Sequence, residues 1–96
     1  MLTADERIKL EFSLAKDPEA HPVIPGLSGI RKARWRMEGK GKRGGVRVIY
    51  FYAIIAEQIL LMEVYAKNER GDLANDQKKE LKRLVENAYQ SKGKRN

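Results

Sequence analysis

The sequence predicts an α+β domain, in which a small antiparallel sheet of three strands is flanked by an N-terminal and a C-terminal helix. Three observations predict it. Amphipathic segments open and close the chain, at residues 3–16 and 75–90. Between them lie three runs with the alternation or the β-branched and aromatic composition of strands. Short connections join the runs, which favours antiparallel neighbours. The chain's 96 residues show no internal repeat and fit one domain, 1–96, with its core over 3–90. A domain of this size buries only a modest core.

The first helix starts at a T-x-x-E capping box, Thr3 with Glu6, in which each side chain satisfies an orphan backbone amide. Ile8, Phe12 and Ala15 form its expected apolar stripe, with Leu14 beside it, and Pro18 ends it. Residues 17–29 hold Pro18, Pro22, Pro25, Gly26 and Gly29 and read as a loop. Over residues 30–37 alternation sets Arg31, Ala33, Trp35 and Met37 on one side and Ile30, Lys32, Arg34 and Arg36 on the other. The first set is expected to meet the core after Arg31, leaving a basic ladder on the opposite face. A basic hairpin loop, Gly39 to Gly45, leads to the strongest strand signal, V-R-V-I-Y-F-Y-A-I at residues 46–54. A connection near Ala56 to Gln58 precedes a third strand at about Ile59 to Ala66. After a polar loop, 67–73, the closing helix carries Leu81, Leu84, Val85 and Ala88 as its stripe, with Asn75 or Asp76 as cap. The basic tail, 91–96, is expected to fray.

Charge is the most informative part of the composition. The net charge is +7, and residues 31–47 carry eight basic side chains against Glu38 alone, which is itself +7. The other residues hold twelve basic and twelve acidic side chains and cancel. One short stretch therefore supplies the whole excess, and a concentrated single-sign field points to a polyanion. Cysteine is absent, which rules out disulfides and cysteine metal sites and fits a reducing, cytoplasmic compartment. Residues 1–20 contain five acidic side chains and do not read as a signal peptide. The apolar stretch Val46 to Ala66 is interrupted by Arg47, Glu57, Gln58 and Glu63, so it reads as two strands and not as a membrane span.

Several motifs have two readings. The Gly39–Gly45 loop lacks the Gly-Lys-Ser/Thr of a nucleotide-triphosphate loop and is followed by a strand. With Lys40, Lys42 and Arg43 it is either a solvated connector or a phosphate-backbone contact. Arg47 shares a strand face with Ile49 and Phe51; it is either salt-bridged to Glu63 or Glu69, or placed at the rim of a binding cleft. Lys32 and Arg34 are a charged solvent face or part of the same patch. Trp35 and Phe51 read as core, while Tyr50 and Tyr52 read as core or as base-stacking surfaces. His21 is the only histidine and reads as a surface loop residue, so a histidine acid/base pair is excluded by count. Glu63, Glu69 and Asp72 stand near Lys67 and Arg70, which disfavours a metal site. No metal and no cofactor is expected. No helix carries the basic patch that reading a DNA groove needs.

Three stretches together resemble the RelE/HigB toxin family, in its HigB-like branch. They are G-L-S-G-I-R-K-A-R-W (Gly26–Trp35), G-K-G-K-R-G-G-V-R-V-I-Y-F-Y (Gly39–Tyr52) and Y-A-K-N-E-R-G-D-L (Tyr65–Leu73), and the resemblance runs from residue 3 to about residue 90. It implies a RelE-like fold and a metal-independent, ribosome-dependent endoribonuclease that cuts messenger RNA in the A site and inhibits translation. It implies catalytic roles for Arg47, Lys32, Arg34, Lys67 and Glu69. RNA binding then falls to Arg31, Arg36, Lys40, Lys42, Arg43 and Asn68. Two positions depart from the best-known members: Asn68 stands in place of an arginine and Ala74 in place of a tyrosine. The general base is open between Glu69 and Tyr65. The implied partner is a cognate antitoxin, HigA-like, with a helix-turn-helix domain and an acidic wrapping segment. Family members begin with a strand and a helix ahead of the segment at residues 3–16, and the chain is expected to lack both. The sheet edge thus exposed would take an antitoxin or a second copy. The alternative function is a catalytically inactive relative that binds an antitoxin or nucleic acid.

Overall fold

The computed structural model describes residues 2–36, 45–67 and 72–90, the last two without their side chains. The order is helix α1 (Ala4–Lys16), strands β1 (Arg31–Arg36), β2 (Gly45–Ala53) and β3 (Gln58–Ala66), and helix α2 (Asn75–Val85). The strands form one antiparallel sheet in the order β1-β2-β3. This is the expected small α+β architecture. Among the described residues no helix is long and apolar enough to cross a membrane.

The two helices take opposite faces of the sheet, because successive strand residues point to opposite sides. On the α1 face, Leu10 and Leu14 pack on Ala33, Val46, Val48 and Tyr50, with Leu2, Trp35, Ile59, Leu61 and Val64 around them. On the α2 face, Val85 and Leu81 pack with Leu27, Ile30, Ile49, Phe51, Met62, Tyr65 and Leu73. Ile30, expected on the basic ladder's face, thus lies under α2, and the ladder is open only beyond it.

α1 turns a different stripe inward than expected, and α2 turns in half of the expected one. The Thr3–Glu6 capping box is formed, with both hydrogen bonds near 3 Å. Yet Ile8 and Phe12 are 51% and 68% exposed, and Ala15 is exposed. Leu10 and Leu14, also four residues apart, meet the sheet instead. α1 is apolar on two sides, and periodicity does not say which side the sheet takes. In α2, Leu81 and Val85 face inward while Leu84 and Ala88 are exposed. The α-helical period ends at Val85, after which Glu86–Gln90 widen into a π-helical turn. The cap is Ala74, not Asn75 or Asp76; the Gln77 side chain accepts from the Ala74 amide at 2.9 Å.

The loop between α1 and β1 is pinned. Pro22 and Ile24 exchange backbone hydrogen bonds with Lys32 and Ile30, so residues 22–24 cover the first part of the β1 edge. Gly29 adopts φ +93°, and a Cβ there would lie 3.4 Å from the Phe51 ring, so the position suits glycine on both counts. Ser28 donates to Glu86 at 2.7 Å and ties the loop to the end of α2. β3 is the other edge; its pairing slips by one residue at Met62, between the pairs Tyr50–Leu61 and Ile49–Glu63.

Candidate nucleic-acid interface

The register lays out the cationic face row by row. Arg36 pairs with Gly45, Arg34 with Arg47, and Lys32 with Ile49. Across β2, Arg47 pairs with Tyr65 and Ile49 with Glu63. Alternation puts these rows on the α2 side of the sheet. α2 covers that side only from Ile49 and Phe51 onward, leaving Arg34 and Arg36 exposed and Arg47 half-buried at the border. Lys67 is exposed, one residue past the Ala66–Val46 pair at the same end.

Arg34 and Arg47 are directly opposite one another on adjacent strands. Side chains so placed have Cβ atoms about 5 Å apart, and like charges there weaken the pair. Among the described residues, neither arginine is held in an ion pair like that of Lys32; Glu69, one of the two carboxylates expected to meet Arg47, lies outside them. Tyr65 completes the row from below: it is 2% exposed and part of the α2-side core, so it supports Arg47 but is closed to a substrate.

Lys32 has a partner. Its Nζ lies 3.6 Å from Asp72 Oδ1, and Lys78 Nζ on α2 lies 3.5 Å from Asp72 Oδ2. The Asp72 carboxyl is held below the usual carboxylate range, chiefly by the Leu73 amide donating to it and then by the two lysines, against a cost of desolvation. The sequence offered Asp72 only as a weak metal ligand and gave no sign of Lys78, whose place on a helix reads as solvated charge.

Arg31 is separated from the other cations. Its side chain is 18% exposed, and its guanidinium donates to the carbonyls of Glu19 and His21 at 3.1 and 2.6 Å, with the Glu19 carboxylate at 3.8 Å. It clasps the loop instead of standing free for RNA. His21 is half-buried, its ring edge-on to Tyr50 at 6.2 Å. Tyr50 is fully buried and its hydroxyl donates to the Pro18 carbonyl at 2.7 Å, which settles it as core and not as a stacking platform. Burial pushes its phenol above the usual tyrosine range; Asp17 adds to this, while Arg31 and a backbone hydrogen bond from His21 oppose it. Trp35 and Phe51 pack against the two cores, as expected, and Tyr52 is half-buried.

Lys40, Lys42, Arg43, Asn68 and Glu69 lie outside the described residues, as do Met37 and Arg70. Among the described residues no group of three metal-ligating side chains comes together. A pocket of about 290 Å³ sits at the β3 edge, lined by Leu2, Arg7, Leu61, Met62, Glu63 and Val64; of the cationic rows it shares only Glu63. The arrangement suits binding and charge stabilisation of a phosphate chain laid over Arg34, Arg36 and Arg47. No protein-family model matches this chain.

Proposed function

We propose that the chain is a RelE/HigB-type toxin, a metal-independent endoribonuclease that enters the ribosomal A site in the cytoplasm and cuts messenger RNA there. One observation carries the reading: Arg34 and Arg47 face each other across two strands on the open part of the sheet. That pairing weakens an isolated domain. A polyanion lying across it reverses the sign, because phosphates replace mutual repulsion with attraction and release counterions. In the reaction the ribose 2′-hydroxyl gives its proton to water and its oxygen attacks the adjacent phosphorus. The bond to the 5′-oxygen breaks, and that oxygen takes a proton from water, leaving a cyclic phosphate and a 5′-hydroxyl. Arg47 and Arg34 stabilise the charge that builds on the phosphoryl oxygens, Lys32, Arg36 and Lys67 hold the flanking backbone, and the ribosome orients the strand. The partner is an antitoxin, for which the open β3 edge is a ready surface; a second copy is the other candidate cover.

A second reading, an RNA-binding module without cleavage, draws on one feature. Arg47's neighbours in the register are Arg34, Tyr65, Gly45 and Ile49, and none is an exposed acid or base other than arginine. Incubation with programmed 70S ribosomes, followed by primer extension, separates the two. The toxin reading expects A-site cuts only when ribosomes are present, and a fall of about 10²-fold or more in Arg47→Ala. RNA binding without cuts, from folded protein, would establish the binding module instead.

A further inference from the structure

We propose that Lys32 and Lys78 form an anion subsite beside the Arg34–Arg47 pair, built to take one phosphate group of a polynucleotide and occupied in the free protein by the Asp72 carboxylate. The proposal rests on reading the cationic rows as a polynucleotide surface, and it adds one residue, Lys78, and one competitor, Asp72, to that surface.

The two ammonium groups come from different elements, β1 and α2, so the fold itself assembles them. Each oxygen of Asp72 serves one lysine, at 3.6 and 3.5 Å. Two cations on one carboxylate leave a net positive charge, and a phosphate offers the same pair of oxygens with more acceptor capacity. The Asp72 side chain is 53% exposed, and an exposed ion pair is weak, so an incoming phosphate can displace it. Lys32 is two residues before Arg34 on one strand face, about 6.6 Å along β1. A chain crossing Arg34 therefore reaches the subsite without leaving the sheet. Asp72 is thus a built-in competitor: it holds the two lysines in place and sets how strongly the surface binds.

The test uses the full chain and an oligouridine of about ten nucleotides, with binding followed by anisotropy over a series of salt concentrations. Elution from heparin is measured on the same proteins. Asp72→Asn should tighten oligouridine binding severalfold and steepen the log–log salt dependence by about 0.7 for each additional phosphate neutralised, as for single strands. The tightening should vanish in a triple variant that adds Lys32→Ala and Lys78→Ala. Glu11→Gln, the same change of charge on α1, should move neither readout. Circular dichroism confirms that each variant is folded. The proposal is overturned if Asp72→Asn binds like the wild type, or if its tighter binding survives loss of both lysines. If no variant binds oligouridine but heparin retention rises in the same lysine-dependent way, the polynucleotide reading fails and the anion subsite stands. If no variant binds oligouridine and heparin retention is unchanged as well, the subsite fails too.

Discussion

The two faces of the sheet are made by alternate residues of the same three strands, yet they are finished differently. On the α1 face the apolar cover begins at the first rows of β2 and runs from Val46 through Val48 to Tyr50, with Trp35 closing the Val46 end. On the α2 face the cover begins only at Ile49, and the positions nearer the Arg36–Gly45 end are Arg34, Arg36 and Arg47. Solubility alone does not explain this, since mixed or neutral polar side chains would solvate an open sheet without like charges in register. One face is closed by apolar packing, while half of the other sets like charges in register, an arrangement that by itself weakens a sheet.

The comparison can be broken at either face. The largest effect belongs to the covered one: Leu14→Ala, at a residue 1% exposed, should cost about 2–5 kcal/mol, read as a lower denaturation midpoint in urea. Next comes Tyr50, also in the α1-side core. Its folded-state pKa is raised, chiefly by burial, so the folded state holds that proton more tightly than the unfolded chain does. Its contribution is complete below the ordinary tyrosine value of about 10 and is lost as pH climbs through the raised value. Tyr50→Phe should lose about 1 kcal/mol at neutral pH, with the Pro18 carbonyl left unbonded. It should also fall off less steeply than the wild type in alkaline melts. The smallest effect has the opposite sign: Arg34→Thr should raise stability by roughly 0.2–1 kcal/mol, by removing the charge opposite Arg47, while it weakens RNA binding. A loss of stability in that variant would remove the argument that the pair is kept for a ligand.

Much of this was legible in the residues. The capping box at Thr3, the strands to within one residue at their described ends and the alternation of Arg47 with Ile49 and Phe51 depend on local chemistry and a fixed period, and they appear where that chemistry puts them. The choice between two apolar stripes on α1 was not legible, because both have helical spacing and only the sheet decides. Nor was the fate of Arg31: its position in the basic stretch says nothing of the Glu19 and His21 carbonyls, which a Pro-rich loop brings back to it. Asp72 and Lys78 are joined to Lys32 only by tertiary contact, so no spacing announces them.

The slip at Met62 bears on what Arg47 touches. Had β3 kept one rhythm from Gln58 onward, Val64 would stand opposite Arg47 and Tyr65 would point toward α1. Because Met62 has no opposite number on β2, the parity of the strand changes halfway: Leu61 and Val64 feed one side, Met62 and Tyr65 the other. The aromatic ring beneath Arg47 is therefore chosen by a count of residues three places upstream, independently of any side chain near the arginine. Adding one residue between Leu61 and Glu63, with a single slip kept, would set Val64 opposite Arg47 and exchange a phenol for an aliphatic neighbour, whereas removing Met62 would heal the slip and leave Tyr65 in place.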